Sequence, residues 1–162
     1  MRRFERTLGV MAAVVLSASM AGAASGWEDN FDKAAEKAKQ EGKYLLVDFS
    51  GSDWCGWCIK LDEEVFSKKA FKDYAKDNLV LSIVDFPRRK ELGAKDKARN
   101  EALAKKHGVR GFPTVLVMSP DGEVIGKTGY KPGGPEAYVS HIREFIDAHK
   151  AKSGQGKKPA GA

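Results

Sequence analysis

Two cysteines, Cys55 and Cys58, stand three residues apart and directly follow an apolar run over residues 44–50. A strand that delivers a Cys-x-x-Cys pair to the start of a helix makes a cysteine reactive. The helix N-terminus stabilises a thiolate through its unpaired N–H groups and its aligned dipole. Since the 162-residue chain has no third cysteine to compete for either sulfur, the pair can close on itself as a disulfide. The pattern predicts thiol–disulfide exchange.

The position of each cysteine predicts a different role. We expect the pKa of the Cys55 thiol, at the helix start, to fall below the free value of about 8.5, which makes this residue the candidate nucleophile. Cys58, one helical turn further in, would resolve the mixed disulfide. The alternatives are an inert structural disulfide or half of a zinc site. A zinc site needs about four ligands and the three histidines are scattered, so we expect no metal. Ile59 stands where a haem-attachment motif needs histidine.

The first 23 residues have the composition of a secretory signal peptide. Three arginines precede a mostly apolar stretch over 8–21, and Ala21-Gly22-Ala23 offers a cleavage site. The stretch is shorter than the roughly 20 residues that a spanning helix needs. We therefore expect cleavage and export, to the periplasm or beyond. In an exported chain, two cysteines in one tight motif favour a chemical role over a structural one.

The formal charge of +6 lies outside the predicted domain, residues 24–149. The leader carries a net +2 and the segment 150–162 a net +4, which leaves the domain neutral. A domain that binds nucleic acid would carry a basic surface of its own, so we expect no nucleic-acid partner. The segment 150–162 is rich in lysine, glycine and alanine, and its composition predicts a disordered basic tail.

Hydrophobic periodicity and turn residues predict a chain of alternating helices and strands. The predicted strands cover 44–49, 79–85, 114–118 and 123–128, and the main helices cover 30–41, the segment from the cysteines to 65, 100–107 and 135–149. Residues 119–122, Ser-Pro-Asp-Gly, form a strong hairpin signal between the last two strands. This order favours an α/β fold, with a mixed four-stranded sheet flanked by helices.

Three sequence blocks resemble the thioredoxin superfamily, and more specifically its exported bacterial members. They are Val47-Asp48-Phe49, Trp54-Cys55-Gly56-Trp57-Cys58 and Val109-Arg110-Gly111-Phe112-Pro113-Thr114. With the hairpin and the closing helix, they cover nearly all of residues 27–149. Thioredoxin itself has proline where Trp57 stands, and one extra residue separates Asp48 from Cys55. The resemblance implies a thioredoxin-like fold and a redox-active disulfide, Cys55–Cys58, that needs no added cofactor.

Asp48 falls inside an apolar strand, where burial raises the pKa of a carboxyl group. A raised pKa suits a proton acceptor for Cys58 during resolution. The resemblance to the buried aspartate of thioredoxins implies the same role. The alternative is an aspartate at a strand end that reaches solvent or caps a neighbour.

The resemblance also implies a substrate-binding surface beside the cysteines. It places a cis bond between Phe112 and Pro113, which leaves the Phe112 backbone able to pair with a substrate strand. Gly56 and the two tryptophans of the motif complete the predicted surface. We expect Trp57 to be exposed, whereas Trp54 could equally line the surface or pack into the domain.

These observations predict a monomeric thiol–disulfide oxidoreductase that exchanges, and mainly reduces, disulfides of exported proteins or peptides. Gly56-Trp57 offers no cation to stabilise the reduced pair, which favours reduction over oxidation of substrates. An exported reductant needs an electron donor, and we expect a membrane thiol protein. The alternative is a non-catalytic module that grips extended peptides through Trp57, Phe112 and the groove beside Pro113.

Overall fold

A computed structural model describes residues 26–155, in which five strands form one mixed sheet. The predicted leader and residues 156–162 lie outside the described residues. The sheet order is β1-β3-β2-β4-β5, so β2 is central. β2 runs parallel to β3 and antiparallel to β4. The strands are β1 (Trp27–Glu28), β2 (Tyr44–Ser50), β3 (Leu79–Asp85), β4 (Thr114–Met118) and β5 (Val124–Thr128).

The α/β prediction is confirmed, and the sheet has one strand more than predicted. β1 has two residues, and it pairs with β3 through Trp27 opposite Leu81 and Glu28 opposite Ser82. Two residues are too short to show the alternation that predicts a strand. This strand is defined by its partner and has no pattern of its own.

Helices cover both faces of the sheet. They are α1 (Phe31–Glu41), α2 (Gly56–Leu61), α3 (Lys69–Asn78), α4 (Ala94–Lys106) and α5 (Gly134–Gln155). α2 continues into a π-helical turn over Asp62–Phe66. α5 runs six residues beyond the predicted end at His149, so the first part of the predicted disordered tail is helical. None of the helices within residues 26–155 has both the length and the apolarity to cross a membrane.

The alternation of β2 divides the core into two layers. Leu45, Val47 and Phe49 face the layer of α1 and α4. Leu46 faces the opposite layer, which is built from α2, α3 and α5 and includes the fully buried Ile142. Since side chains on a strand alternate between faces, Asp48 shares the side of Leu46. The same side carries the helix that follows the cysteines.

The core assignment predicts unequal costs for two apolar truncations. Ile142→Ala should lower the free energy of unfolding by about 2–5 kcal/mol, because it removes buried contacts and leaves a cavity. Val124→Ala, at a side chain that is 41% exposed, should change it by less than about 0.5 kcal/mol. Urea unfolding of the two variants measures both values. Equal losses would contradict the assignment of Ile142 to the core.

Candidate active site

The cysteine pair lies where the central strand gives way to α2. The carbonyl of Gly51 accepts the N–H groups of Trp54 and Cys55, at 3.1 and 2.8 Å, which closes a tight turn. Cys55 is the N-cap of α2, and its Sγ accepts the N–H of Cys58 at 3.3 Å. A thiolate at that sulfur would be stabilised by this N–H group and by the aligned peptide dipoles.

The two sulfurs are joined as a disulfide, and the structure therefore shows the oxidised state. The Cα atoms are 5.2 Å apart. Both cysteines are buried, with Cys55 7% and Cys58 4% exposed. Gly56, which lies between Cys55 and Trp57, is exposed, and a Cβ atom at this position would meet no heavy atom within 4 Å. The surface over the disulfide is therefore open at Gly56.

Trp54 packs against the domain and stays half-buried, so it combines the two predicted placements. Its indole N–H donates to the Phe86 carbonyl at 2.7 Å. Its ring also lies against Gly51, where a Cβ atom would stand 2.5 Å from the indole. Only glycine leaves room for the tryptophan at this turn. The half-buried Trp54 is thus held at the turn before Cys55 and keeps part of its ring on the surface.

The segment that precedes β4 lies beside Trp54. The Phe112–Pro113 peptide bond is cis. The rings of Phe112 and Trp54 meet edge to face, with centroids 6.0 Å apart. The carbonyl of Pro113 comes so close to Gly129 that a Cβ atom there would lie 2.9 Å away. The fold therefore brings the sequence block around Pro113 to the block around the cysteines.

Trp57 is exposed and belongs to an aromatic cluster. Its side chain is 57% exposed, and its ring centroid lies 5.1 Å from that of Tyr130. The Lys60 ammonium lies over both rings, at 5.2 and 5.3 Å. The Tyr130 hydroxyl donates to Glu64 at 2.6 Å. Sequence reasoning missed Tyr130, because nothing in its local sequence signals that the loop after β5 reaches the cysteine helix.

Asp48 lies inside the domain next to a cavity that Cys58 also lines. The residue is 5% exposed, and its Oδ1 atom has no hydrogen-bond partner among the described residues. The cavity measures about 560 Å³, and Asp62 also lines it. Asp48 does not reach the surface, so the alternative of a solvent-exposed aspartate is wrong.

The pKa of Asp48 is raised from 3.8 to about 7, chiefly by burial. The Asp62 and Asp85 carboxylates contribute to this rise, while a hydrogen bond with the Ser50 side chain acts in the opposite direction. All the charged groups that shift this pKa are acidic. Near neutral pH the carboxyl group can therefore both hold and release a proton.

Asp53, which sequence reasoning also missed, fixes the loop that follows β3. Its carboxylate accepts the backbone N–H groups of Arg88, Arg89 and Lys90 at 2.9, 2.7 and 3.3 Å. These bonds hold the pKa of Asp53 below its usual value. The Arg88 guanidinium stacks on Trp54, 3.6 Å from the ring centroid. The loop and the cysteine motif are thus joined at Asp53 and at Trp54.

The histidines take no part in this site. His141 and His149 lie on α5, where they contact Thr128 and Tyr44. Across the described part of the chain, no group of three or more histidine, cysteine or acidic side chains is arranged to hold a metal ion.

The fold and the Cys-Gly-Trp-Cys disulfide define a thioredoxin-type thiol–disulfide oxidoreductase. The family model of the thioredoxin-like domain matches residues 31–144, and the chain belongs to this family. The predicted superfamily and fold are thereby confirmed.

Two relatives and one solved structure show which members of this family the chain is similar to. The chain is 34% identical over 120 residues to the disulfide bond reductase DsbH of Chlamydia pneumoniae, covering 74% of this chain and 72% of that protein. It is 28% identical over 103 residues to the thioredoxin-related protein DsbJ of the same organism, but spans only 30% of DsbJ. A solved structure of a DsbH oxidoreductase superposes with a TM-score of 0.72 at 30% identity, covering 89% of this chain and 95% of that one.

The raised pKa of Asp48 predicts a specific dependence of stability on pH. Between about pH 4 and 7 the unfolded chain loses the Asp48 proton while the folded chain keeps it, so stability falls as pH rises and levels off above pH 7. Asp48→Asn removes this penalty. The stability of the oxidised variant relative to the oxidised wild type should therefore grow by about 4 kcal/mol from pH 4 to pH 8.

Urea unfolding across this pH range measures the difference. Asp77→Asn, at an exposed aspartate of α3, is the matched control and should show no such trend. A wild type and an Asp48→Asn variant whose stabilities run parallel with pH would contradict the buried, protonated carboxyl.

Proposed function

We propose that this protein reduces disulfide bonds of exported proteins or peptides through Cys55 and Cys58. The observation that carries the proposal is the placement of Cys55. Its sulfur caps α2 and accepts the Cys58 N–H, and the residue that precedes it, Trp54, packs against Phe112. The same pair of sulfurs is the redox group, and the reaction needs no added cofactor.

Reduction of a substrate proceeds in two exchanges. The Cys55 thiolate attacks one sulfur of the substrate disulfide, the other substrate sulfur leaves as a thiolate, and a mixed disulfide forms. Cys58 then loses its proton and attacks the Cys55 sulfur, which releases the second substrate sulfur as a thiolate. Two electrons pass to the substrate and the Cys55–Cys58 disulfide remains. A reduced thiol partner must return two electrons before the next cycle.

Asp48 is the proposed proton acceptor for Cys58. Both side chains line the same cavity, and a pKa of about 7 makes the carboxylate available near neutral pH. Water in a cavity of about 560 Å³ can carry the proton between the two groups and the surface. We base this role on the burial of Asp48 and on its position at the cavity. No cation among the groups that shift its pKa would hold the carboxyl in the charged form.

Substrate contact is proposed for the surface around the two aromatic groups. An extended substrate segment would pair with the backbone at Phe112, as peptides do at other exposed strand-like edges. Gly56 leaves the surface over the disulfide open, Trp57 supplies an exposed ring, and the edge of Trp54 meets Phe112. Pro113 has no N–H group and therefore presents no donor at this position.

The direction of electron flow is supported by two observations. Gly56-Trp57 places no cation between the cysteines, so nothing in the motif gives the reduced pair the extra stabilisation that a strong oxidant needs. The chain is also similar to a protein whose name is disulfide bond reductase. We therefore propose net reduction of substrates.

The proposed setting is the periplasm or the exterior, reached through a cleaved leader over residues 1–23. In that setting the electrons would come from a membrane thiol protein. A monomer is proposed because the large hydrophobic side chains exposed within residues 26–155 are limited to Trp57, Ile59 and Val124, which is little apolar surface for a stable dimer. No nucleic-acid partner is proposed.

Substitution of Cys55 and substitution of Cys58 should have different effects on disulfide reduction. Cys55→Ser should lower the rate of peptide disulfide reduction on the order of a thousandfold or more, because the nucleophile is gone. Cys58→Ser should instead accumulate a mixed disulfide between Cys55 and the substrate, because resolution fails. Turnover assays and intact-protein mass spectrometry measure the two results.

The same experiment separates the enzyme from a peptide-binding module. If the wild type binds peptides, shows no turnover, and keeps its affinity after Cys55→Ser, the protein is a binding module and the proposed reaction is wrong.

A further inference from the structure

We propose that a basic rim beside the cysteines, formed by Arg88, Arg89, Lys90 and Arg110, selects substrates whose disulfide is flanked by acidic residues. The inference rests on the proposed function and adds a substrate class to it. Arg88, Arg89 and Lys90 are consecutive in the loop after β3, and Arg110 precedes the Phe112–Pro113 segment by two residues. All four side chains are exposed.

The loop of the rim that carries Arg88, Arg89 and Lys90 is held in place by the Asp53 carboxylate. Asp53 accepts three consecutive N–H groups of the loop, so its carboxylate points to the loop backbone and leaves the three side chains directed elsewhere. Because Asp53 stands two residues before Cys55, this anchor sets the distance between the rim and the nucleophile. A loop fixed in this way presents its charges without a large ordering cost on binding.

The rim is continuous with the proposed substrate surface. Arg88 stacks on Trp54, and Trp54 donates its indole N–H to the Phe86 carbonyl at the start of the loop. The Phe86 ring lies 5.0 Å from that of Phe112. A peptide that pairs with the backbone at Phe112 would therefore run beside the loop that carries Arg88, Arg89 and Lys90.

The positive charge of the rim is compensated only in part. The Asp53 carboxylate interacts electrostatically with Arg89, but its oxygens accept the backbone N–H groups of the loop. Within the described residues, neither Arg89 nor Arg110 forms a salt bridge. Lys90 approaches Asp85 at 3.7 Å, but that carboxylate also accepts the Ser52 N–H and hydroxyl. Glu91 is the only acidic residue of the segment 88–92. Local positive charge on a neutral domain favours a partner that brings negative charge to this one place.

The position of the rim favours an acidic polypeptide over a nucleic acid or a membrane. Four cations on two short loops match a few residues of an extended chain. A duplex or a membrane surface would meet a wider basic face, and the neutral domain does not supply one. The occupant is therefore an acidic segment next to the substrate cystine.

The test compares two peptide disulfides that differ only in two flanking residues on each side of the cystine, Asp in one and Lys in the other. At low salt the wild type should reduce the acidic peptide with a kcat/KM about tenfold higher, and 0.5 M salt should reduce this preference to about twofold. Arg89→Glu should lower the low-salt preference by about fivefold. Arg110→Glu, on the other loop of the rim, provides a second and independent variant.

Lys72→Glu is the matched control. It makes the same charge reversal on α3, beside Leu79 at the other end of the sheet from the cysteines. This variant should keep the wild-type preference for the acidic peptide. Equal rates for both peptides with the wild type, or equal effects of Arg89→Glu and Lys72→Glu, would overturn the inference.

Binding measurements separate this inference from the proposed function. Versions of the two peptides with serine in place of cysteine are titrated into the oxidised protein and followed by tryptophan fluorescence. Tighter binding of the acidic version, lost in Arg89→Glu, supports the rim even if no peptide is turned over, which would contradict only the reductase. Binding to phosphatidylglycerol vesicles that depends on Arg89, without any peptide preference, would assign the rim to a membrane and overturn the inference.

Discussion

The central strand β2 imposes the constraint on which the site depends. Its alternation buries Asp48 on the side of the cysteine helix, and its end delivers Cys55 to the start of that helix. A carboxyl group in that position is costly to ionise, and burial raises its pKa to about 7. The strand thus places a buried carboxyl group and the sulfur that caps α2 seven residues apart in one short segment of the chain. The energetic cost of ionising the buried carboxyl is what suits it to the proposed proton transfer near neutral pH.

Short-range patterns were sufficient to predict most of the fold. The runs at 44–50 and 79–85 and the Ser-Pro-Asp-Gly turn each carry a local signal, and the observed strands agree with them. β1 was missed because its two residues become a strand only through pairing with β3. The end of α5 was placed too early, since Ala151 and Lys152 favour helix as much as they favour a solvated tail.

The site was less accessible to sequence reasoning, because its details come from contacts between distant segments. The cysteines and Asp48 are visible in one stretch of sequence, whereas Tyr130 reaches Trp57 only through the fold. Asp53 gives no signal either: its role depends on three N–H groups some 35 residues later. These contacts surround the reactive sulfur, and they are where this chain can differ from others that share its fold.

The equilibrium redox potential of the Cys55–Cys58 pair decides the proposed direction of electron flow. Graded mixtures of reduced and oxidised dithiothreitol, with the fluorescence of Trp54 and Trp57 as the signal, give this value. A reductant with no cation in its motif to favour the reduced pair should have a potential of about −270 mV, the range of thioredoxin. A potential of about −120 mV, the range of a strong oxidant, would contradict the proposed direction of electron flow.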